Sequence, residues 1–186
     1  MPNSLCVLDS LLLAHAVLNG AGEFLNGLVH SLSSPVNLLL LGALGLVLAR
    51  SRPLRVGQPV RAFFAGLIVG GVFAIAVAPP HLAPTILSVF TLLLALSVVG
   101  WLPLNAAARS GLAGIAGAIL AANTIEPPFS VQGTAGAFLG LTLTATAIAY
   151  YVSLRPNRPW ADIGIRVLAA WMAAISMLLV AMSLRR

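Results

Sequence analysis

Six apolar stretches follow one another along this chain, each near the length of a bilayer crossing and each separated from the next by a few residues. They cover residues 36–50, 59–78, 84–103, 107–124, 132–153 and 163–184. About 20 apolar residues in a helix span the hydrocarbon core, with a usual range of about 17–25. Proline and polar residues mark the boundaries, at Ser34-Pro35, Arg52-Pro53, Pro79-Pro80, Pro103, Pro127-Pro128 and Arg155-Pro156-Asn157-Arg158-Pro159. With so little chain between them, the backbone polar groups must pair within helices. The expected fold is all-α, a polytopic transmembrane bundle of six spans. An N-terminal helix over about residues 5–30, amphipathic or itself a seventh span, precedes it. Residues 1–186 read as a single integral membrane domain.

Charge is scarce and placed with a pattern. Charged residues are 8% of the chain against 60% hydrophobic, and the net charge of +6 comes from ten arginines with no lysine. In a soluble protein that excess would point to nucleic acid. Here the arginines sit in connections between apolar runs, where they set topology, and nucleic-acid binding is excluded. Arg50, Arg52, Arg55 and Arg61 flank one connection, Arg109 lies in the next but one, and Arg155 and Arg158 in the next but one again. Alternate connections share a compartment, so the 50–61 loop is expected in the cytoplasm of a bacterial inner membrane protein. The connections at 79–83 and 125–131 carry no arginine and are expected outside. Six spans leave Arg185 and Arg186 on the outer side, where a terminal pair snorkels to the headgroups.

The ends and the sulfur chemistry add little. Cys6 is the sole cysteine, which excludes an internal disulfide and a cysteine metal cluster. Leu11-Leu12-Leu13-Ala14-His15-Ala16 has the form of a signal-peptide end. No positive n-region precedes it and Asp9 interrupts the apolar run, so retention is expected.

The polar residues inside apolar sequence carry the functional information. An ionisable group in hydrocarbon costs at least about 2.5–3.5 kcal/mol and is a functional-site candidate by default. His15, Asn19, Glu23, Asn26 and His30 are spaced four, four, three and four, which lines them along one face of a helix. Such a stripe faces either the headgroup layer or a bundle interior that holds water or a ligand. His30, Asn37, His81, Asn123 and Glu126 come from four segments and are expected at one outer membrane level. Imidazole and carboxylate suit nickel, cobalt, zinc or iron. In a Pro-rich turn, however, a histidine such as His81 is usually just solvated, and Glu126 before two prolines also fits a helix end. Gly111, Gly114 and Gly117, then Gly133, Gly136 and Gly140, give two spans small faces for close helix packing.

From His30 onward the chain resembles a known family. His30-Ser31-Leu32-Ser33-Ser34-Pro35-Val36-Asn37-Leu38-Leu39 is similar to the His-Pro-Leu-x-Gly-x-Asp-His-Leu-Leu signature of the HupE/UreJ family, small membrane permeases associated with nickel or cobalt supply. Asn123-Thr124-Ile125-Glu126-Pro127-Pro128 resembles the family's His-Gly-x-Glu-x-Pro motif. The stretch from Gly140 to Ala149 resembles its Gly-Phe-x-x-Ala-Thr-x-x-Leu-His block. The resemblance implies a divalent nickel or cobalt ion as substrate and His30 and Glu126 as metal ligands; by their polar placement, Glu23, Asn26, Asn37, His81 and Asn123 are expected to line the site. The departures are specific. Val36-Asn37 replaces Asp-His, Asn123 replaces a histidine, and Ala149 stands where the later histidine belongs. Asparagine is a poor ligand for such metals beside imidazole.

Two functions follow as expectations. One is a secondary permease for a divalent transition metal with an outward-facing polar site. The other is a non-transporting subunit that keeps the bundle and packs against other membrane subunits, or itself, through its small-residue helix faces. Both have the lipid bilayer as a partner. An enzyme is not expected: there is no nucleophile–base pair, no phosphate loop and no His-x-x-x-His repeat.

Overall fold

A computed structural model of the chain describes residues 22–50, 57–77, 84–125, 130–154 and 159–185. Seven helices fill them: α1 (Glu23–Ser33), α2 (Pro35–Ala49), α3 (Gly57–Val77), α4 (Pro84–Val99), α5 (Ala106–Thr124), α6 (Val131–Ser153) and α7 (Pro159–Ser183). No strand occurs among the described residues. The all-helical expectation therefore holds. The part of the N-terminal helix expected before residue 22 lies outside the described residues.

The count of spans differs from the six expected. Among the described residues, three helices are long and apolar enough to cross a bilayer: α3 over Gly57–Ala76, α6 and α7. A fourth crossing exists if α1 and α2 count as one span, bent by 75° at the break between them. The reasons are local. α2 has 15 residues and α4 has 16, which at about 1.5 Å per residue fall short of the hydrocarbon thickness. In α5, alanine and glycine, with Arg109 and Asn123 near its ends, dilute an otherwise sufficient length of 19 residues.

Sequence chemistry explains the helix limits. Pro35 occupies the first turn of α2, where its missing N–H costs nothing. The preceding Ser34 is extended at φ −76°, ψ 115°, as the residue before a proline tends to be, and this breaks α1 from α2. Asn105 caps α5, its side-chain oxygen accepting from Ala108 N at 2.7 Å, and Ser130 Oγ caps α6 by accepting from Gly133 N at 3.1 Å. Thr91 bonds back to the Leu87 carbonyl of its own helix at 2.7 Å and Ser31 to the Leu28 carbonyl at 3.0 Å, whereas the buried hydroxyls of Ser88 and Ser176 find no partner among the described residues.

α2 is the axle of the bundle. It is apolar all round, Asn37 excepted, and a helix of that kind must be covered on every side. Leu40, Leu41, Leu44, Leu46 and Val47 are indeed buried, packed among α4, α5, α6 and α7. Outside that core, α3 packs on α5 and α1 on α6. Both outer pairs depend on glycine. A Cβ on Gly117 would sit 2.2 Å from the Phe63 carbonyl oxygen, and one on Gly66 2.0 Å from that of Gly114. On the other pair, a Cβ on Gly136 would meet the Phe24 carbonyl oxygen at 2.0 Å, and one on Gly27 that of Gly133 at 1.9 Å. Lipid supplies no hydrophobic drive between helices, so this backbone contact is what dispersion can use. Close packing at Gly114, Gly117, Gly136 and Gly140 thus follows the sequence, whereas nothing lies within 4 Å of a Cβ on Gly111. Val69, Val72 and Phe73 on α3, and Trp171, Met177 and Leu178 on α7, are exposed, as lipid-facing residues are.

Arg50, Arg109 and Arg166 gather at one end, whereas Arg185 follows the opposite end of α7. Arg50, at the C-terminus of α2, donates to the Ser97 carbonyl at 3.1 Å and stacks 4.4 Å over the Trp101 ring. Arg166 Nε donates to the Val99 carbonyl at 3.2 Å. Both cations thus meet the carbonyl end of α4, where the helix dipole favours positive charge. That end closes with Leu102 N–H on the Ser97 carbonyl and Trp101 N–H on the Val98 carbonyl, with Trp101 in the left-handed region at φ 52°.

Candidate functional site

The break between α1 and α2 is where polar side chains enter the apolar bundle. Ser31 is fully buried and Asn37 is 3% exposed. Asn37 Nδ2 donates to the Ser31 carbonyl at 3.1 Å, a group freed because α1 stops two residues later. Asn123 Nδ2, near the C-terminus of α5, donates to Asn37 Oδ1 at 3.4 Å. The end of α1 and the start of α2, six residues apart, are thereby joined by amides to the end of α5, 86 residues away. Such groups are costly in hydrocarbon unless paired, and here each finds the next.

A second polar contact lies at the start of α1. Ser130 Oγ donates to Glu23 Oε2 while accepting from Gly133 N, so one hydroxyl ties α1 to the N-terminus of α6. α1 then runs beside the first half of α6, with Phe24 at Gly136 and Ser31 at Gly140. Asn26 and His30 are half-buried on its polar face.

Depth follows from the glycine contacts. A Cβ on Gly71 of α3 would meet Phe138 at 2.9 Å and Ile125 at 3.1 Å, so the end of α5 is level with Phe138. Phe138 and Gly140 lie seven and nine residues into α6, roughly 10–14 Å along its axis. α3 likewise continues six residues past Gly71 to Val77. The amide junction of Asn37 and Asn123 is therefore recessed in the bundle. The sequence expectation placed both at the outer surface level, since each stands at the edge of an apolar run. The offset of α5 against α3 and α6 was not visible in that pattern.

The structure brings Asn37 to Asn123 and Glu23 to Ser130. Glu126 and His81 lie outside the described residues. Among the described residues no group of three or more His, Cys, Asp and Glu side chains gathers in metal-binding range. Sequence reading missed Ser31, whose carbonyl anchors Asn37, and Ser130. The Ser-Ser-Pro break and the helix-capping position of Ser130 were the available signals. No protein-family model, curated protein or solved structure matches this chain.

Proposed function

We propose that the chain is a secondary permease for a divalent transition metal, nickel or cobalt, in the manner of the HupE/UreJ family it resembles. Its path passes the break between α1 and α2. The observation that carries this reading is the recessed, amide-lined break between two apolar helices that together are long enough for one bent crossing. Discontinuous helices in transporters present backbone carbonyls and helix termini to their cargo near the middle of the membrane. Here the carbonyl end of α1 faces the break, and the negative end of a helix dipole favours a cation. His30 lies in the last turn of α1 and supplies an imidazole. In this reading His30 and Glu126 ligate the metal, and Glu23, Asn26, Asn37, His81 and Asn123 line its approach. The arginine-bearing end, including the 50–61 connection, faces the cytoplasm of a bacterial inner membrane.

One observation favours the second reading, a non-transporting subunit of a membrane complex. Asn37 and Asn123 stand where the resemblance places metal-binding imidazoles, and they bond to each other. Metal accumulation in expressing cells separates the two. Nickel or cobalt uptake above vector controls, lost on replacing His30 and Glu126 by alanine at unchanged protein level, supports the permease. Uptake equal to controls supports the subunit.

A further inference from the structure

Five polar side chains are buried among the described residues: Ser31, Asn37, Ser88, Thr91 and Ser176. Ser31 and Asn37 belong to the break between α1 and α2. The other three lie on α4 and α7, which pack on each other. Hydroxyls elsewhere in the bundle bond back to their own helix, as Thr142 does to the Phe138 carbonyl and Thr146 to that of Thr142. Ser88 and Ser176 do not, and neither hydroxyl has a hydrogen-bond partner among the described residues. Ser88 is 2% exposed and Ser176 is fully buried. A buried hydroxyl left unpaired loses its hydration and gains nothing in return.

The two serines stand at one depth. Arg166, in the second turn of α7, donates to the Val99 carbonyl at the end of α4, so the two helices run antiparallel from that level. Ser88 lies eleven residues before Val99 and Ser176 ten residues after Arg166, which places both roughly 15–17 Å along the pair. Thr91 lies one turn nearer the arginines, at roughly 12 Å. The packing of Met172 over Gly42 of α2 agrees, since Gly42 lies eight residues before Arg50. Ser176 continues the buried stripe of Ala169 and Ala173, whose small side chains keep bulk out of the seam at that level. Thr91 gives its proton to the Leu87 carbonyl, which leaves its oxygen able to accept. A buried water needs about two to four polar partners, and these three hydroxyls supply them. We propose that Ser88 and Ser176 hold one buried water between α4 and α7, which accepts from both serines and donates to Thr91. The water is a second polar fastening of α7 to α4, beside the Arg166 bond, in a setting where lipid supplies no hydrophobic drive between helices. The site does not involve the break between α1 and α2, so it is independent of the permease reading.

The test uses the purified full chain in phosphatidylcholine bilayer discs. Brief X-ray radiolysis turns bound water into hydroxyl radicals that oxidise the side chains beside it, and mass spectrometry reads the products. Met172 is the reporter: it is half-buried one turn before Ser176, and its thioether oxidises readily. Met177, exposed to lipid, is the control. Met172 should oxidise faster than Met177. The excess should vanish in Ser88→Ala and in Ser176→Ala, and persist in Ser110→Ala, which removes a half-buried hydroxyl at the arginine-bearing end. Thermal unfolding gives a second readout. Both single variants and the double variant should lower the midpoint by the same amount, because either replacement releases the same water. Met172 oxidised no faster than Met177, or an excess that survives both replacements, overturns the site. Midpoints that rise in the single variants also overturn it, since they show hydroxyls that were unpaired all along. Should the variants not fold, the wild-type comparison of Met172 with Met177 decides.

Discussion

Asn123 reaches from the end of α5 to Asn37 at the start of α2, its amide donating to the Asn37 side-chain oxygen at 3.4 Å inside the bundle. Asn37 passes the link on to the Ser31 carbonyl at 3.1 Å. This relay bridges the break between α1 and α2. Replacing Asn37 by alanine leaves two buried polar groups unpaired and should cost about 1–3 kcal/mol. In a double-mutant cycle with Asn123→Ala, unfolding in bilayer discs should give a coupling of about 0.5–1.5 kcal/mol, in the range seen for bonds between membrane helices. Strict additivity would show that the long Asn123–Asn37 contact contributes nothing.

The glycine contacts predict a contrast within one helix. Gly117→Ala places a methyl 2.2 Å from the Phe63 carbonyl and must push α5 off α3. A loss of about 1–3 kcal/mol is expected from that overpacking. Gly111→Ala meets nothing within 4 Å and should be neutral or stabilise by about 0.5–1 kcal/mol through helix propensity. Equal effects in thermal unfolding would contradict the close pairing of α3 and α5.

Trp101 offers a test of backbone strain against stacking. Its φ of 52° costs a non-glycine residue about 1–2 kcal/mol, while the stack with Arg50 returns about 0.5–1 kcal/mol at an exposed site. Trp101→Ala loses the stack and keeps the strain, whereas Trp101→Gly loses both. The glycine variant should therefore be the more stable of the two, by about 1 kcal/mol. The reverse order would show that Trp101 is not held in the left-handed region.

Much of the architecture was legible because membrane helices announce themselves. Long apolar runs, Ser-Pro and Pro-Pro punctuation and alternate arginines gave the helix positions, and the Arg50, Arg109 and Arg166 ends do meet. α4 was misjudged at its end. It stops at Val99 through a left-handed Trp101, a residue with no preference for that conformation, although Gly100 and Pro103 were available as stop signals. The span count was overestimated for a related reason. Apolarity locates a helix but not its exact length: α2 and α4 stop at 15 and 16 residues, and alanine and glycine dilute α5. Gly66, Gly70 and Gly27 were not singled out, because which glycine faces a neighbour depends on helix pairing. The site was only half visible: polar residues could be counted, but the offset that buries Asn37 and Asn123 is a property of the assembled bundle.

Ser130 gives a prediction for the junction of α1 with α6. Its hydroxyl both caps α6 and holds Glu23. Ser130→Ala should cost about 1 kcal/mol from the lost cap, and hydrogen exchange at the start of α1 should rise with it. Glu23→Ala should loosen α1 and leave the α6 cap intact. Unchanged exchange in α1 for both variants would show that the contact does not anchor it.

The central claim is that a divalent metal crosses the membrane through this bundle by way of His30 and Glu126. Purified protein in sealed vesicles with a trapped metal-sensitive dye tests it directly. The wild type should admit nickel or cobalt faster than protein-free vesicles, and the His30→Ala/Glu126→Ala double variant, folded and inserted to the same level, should not. Wild-type protein that admits neither metal, or a double variant that admits them at the wild-type rate, would contradict the claim.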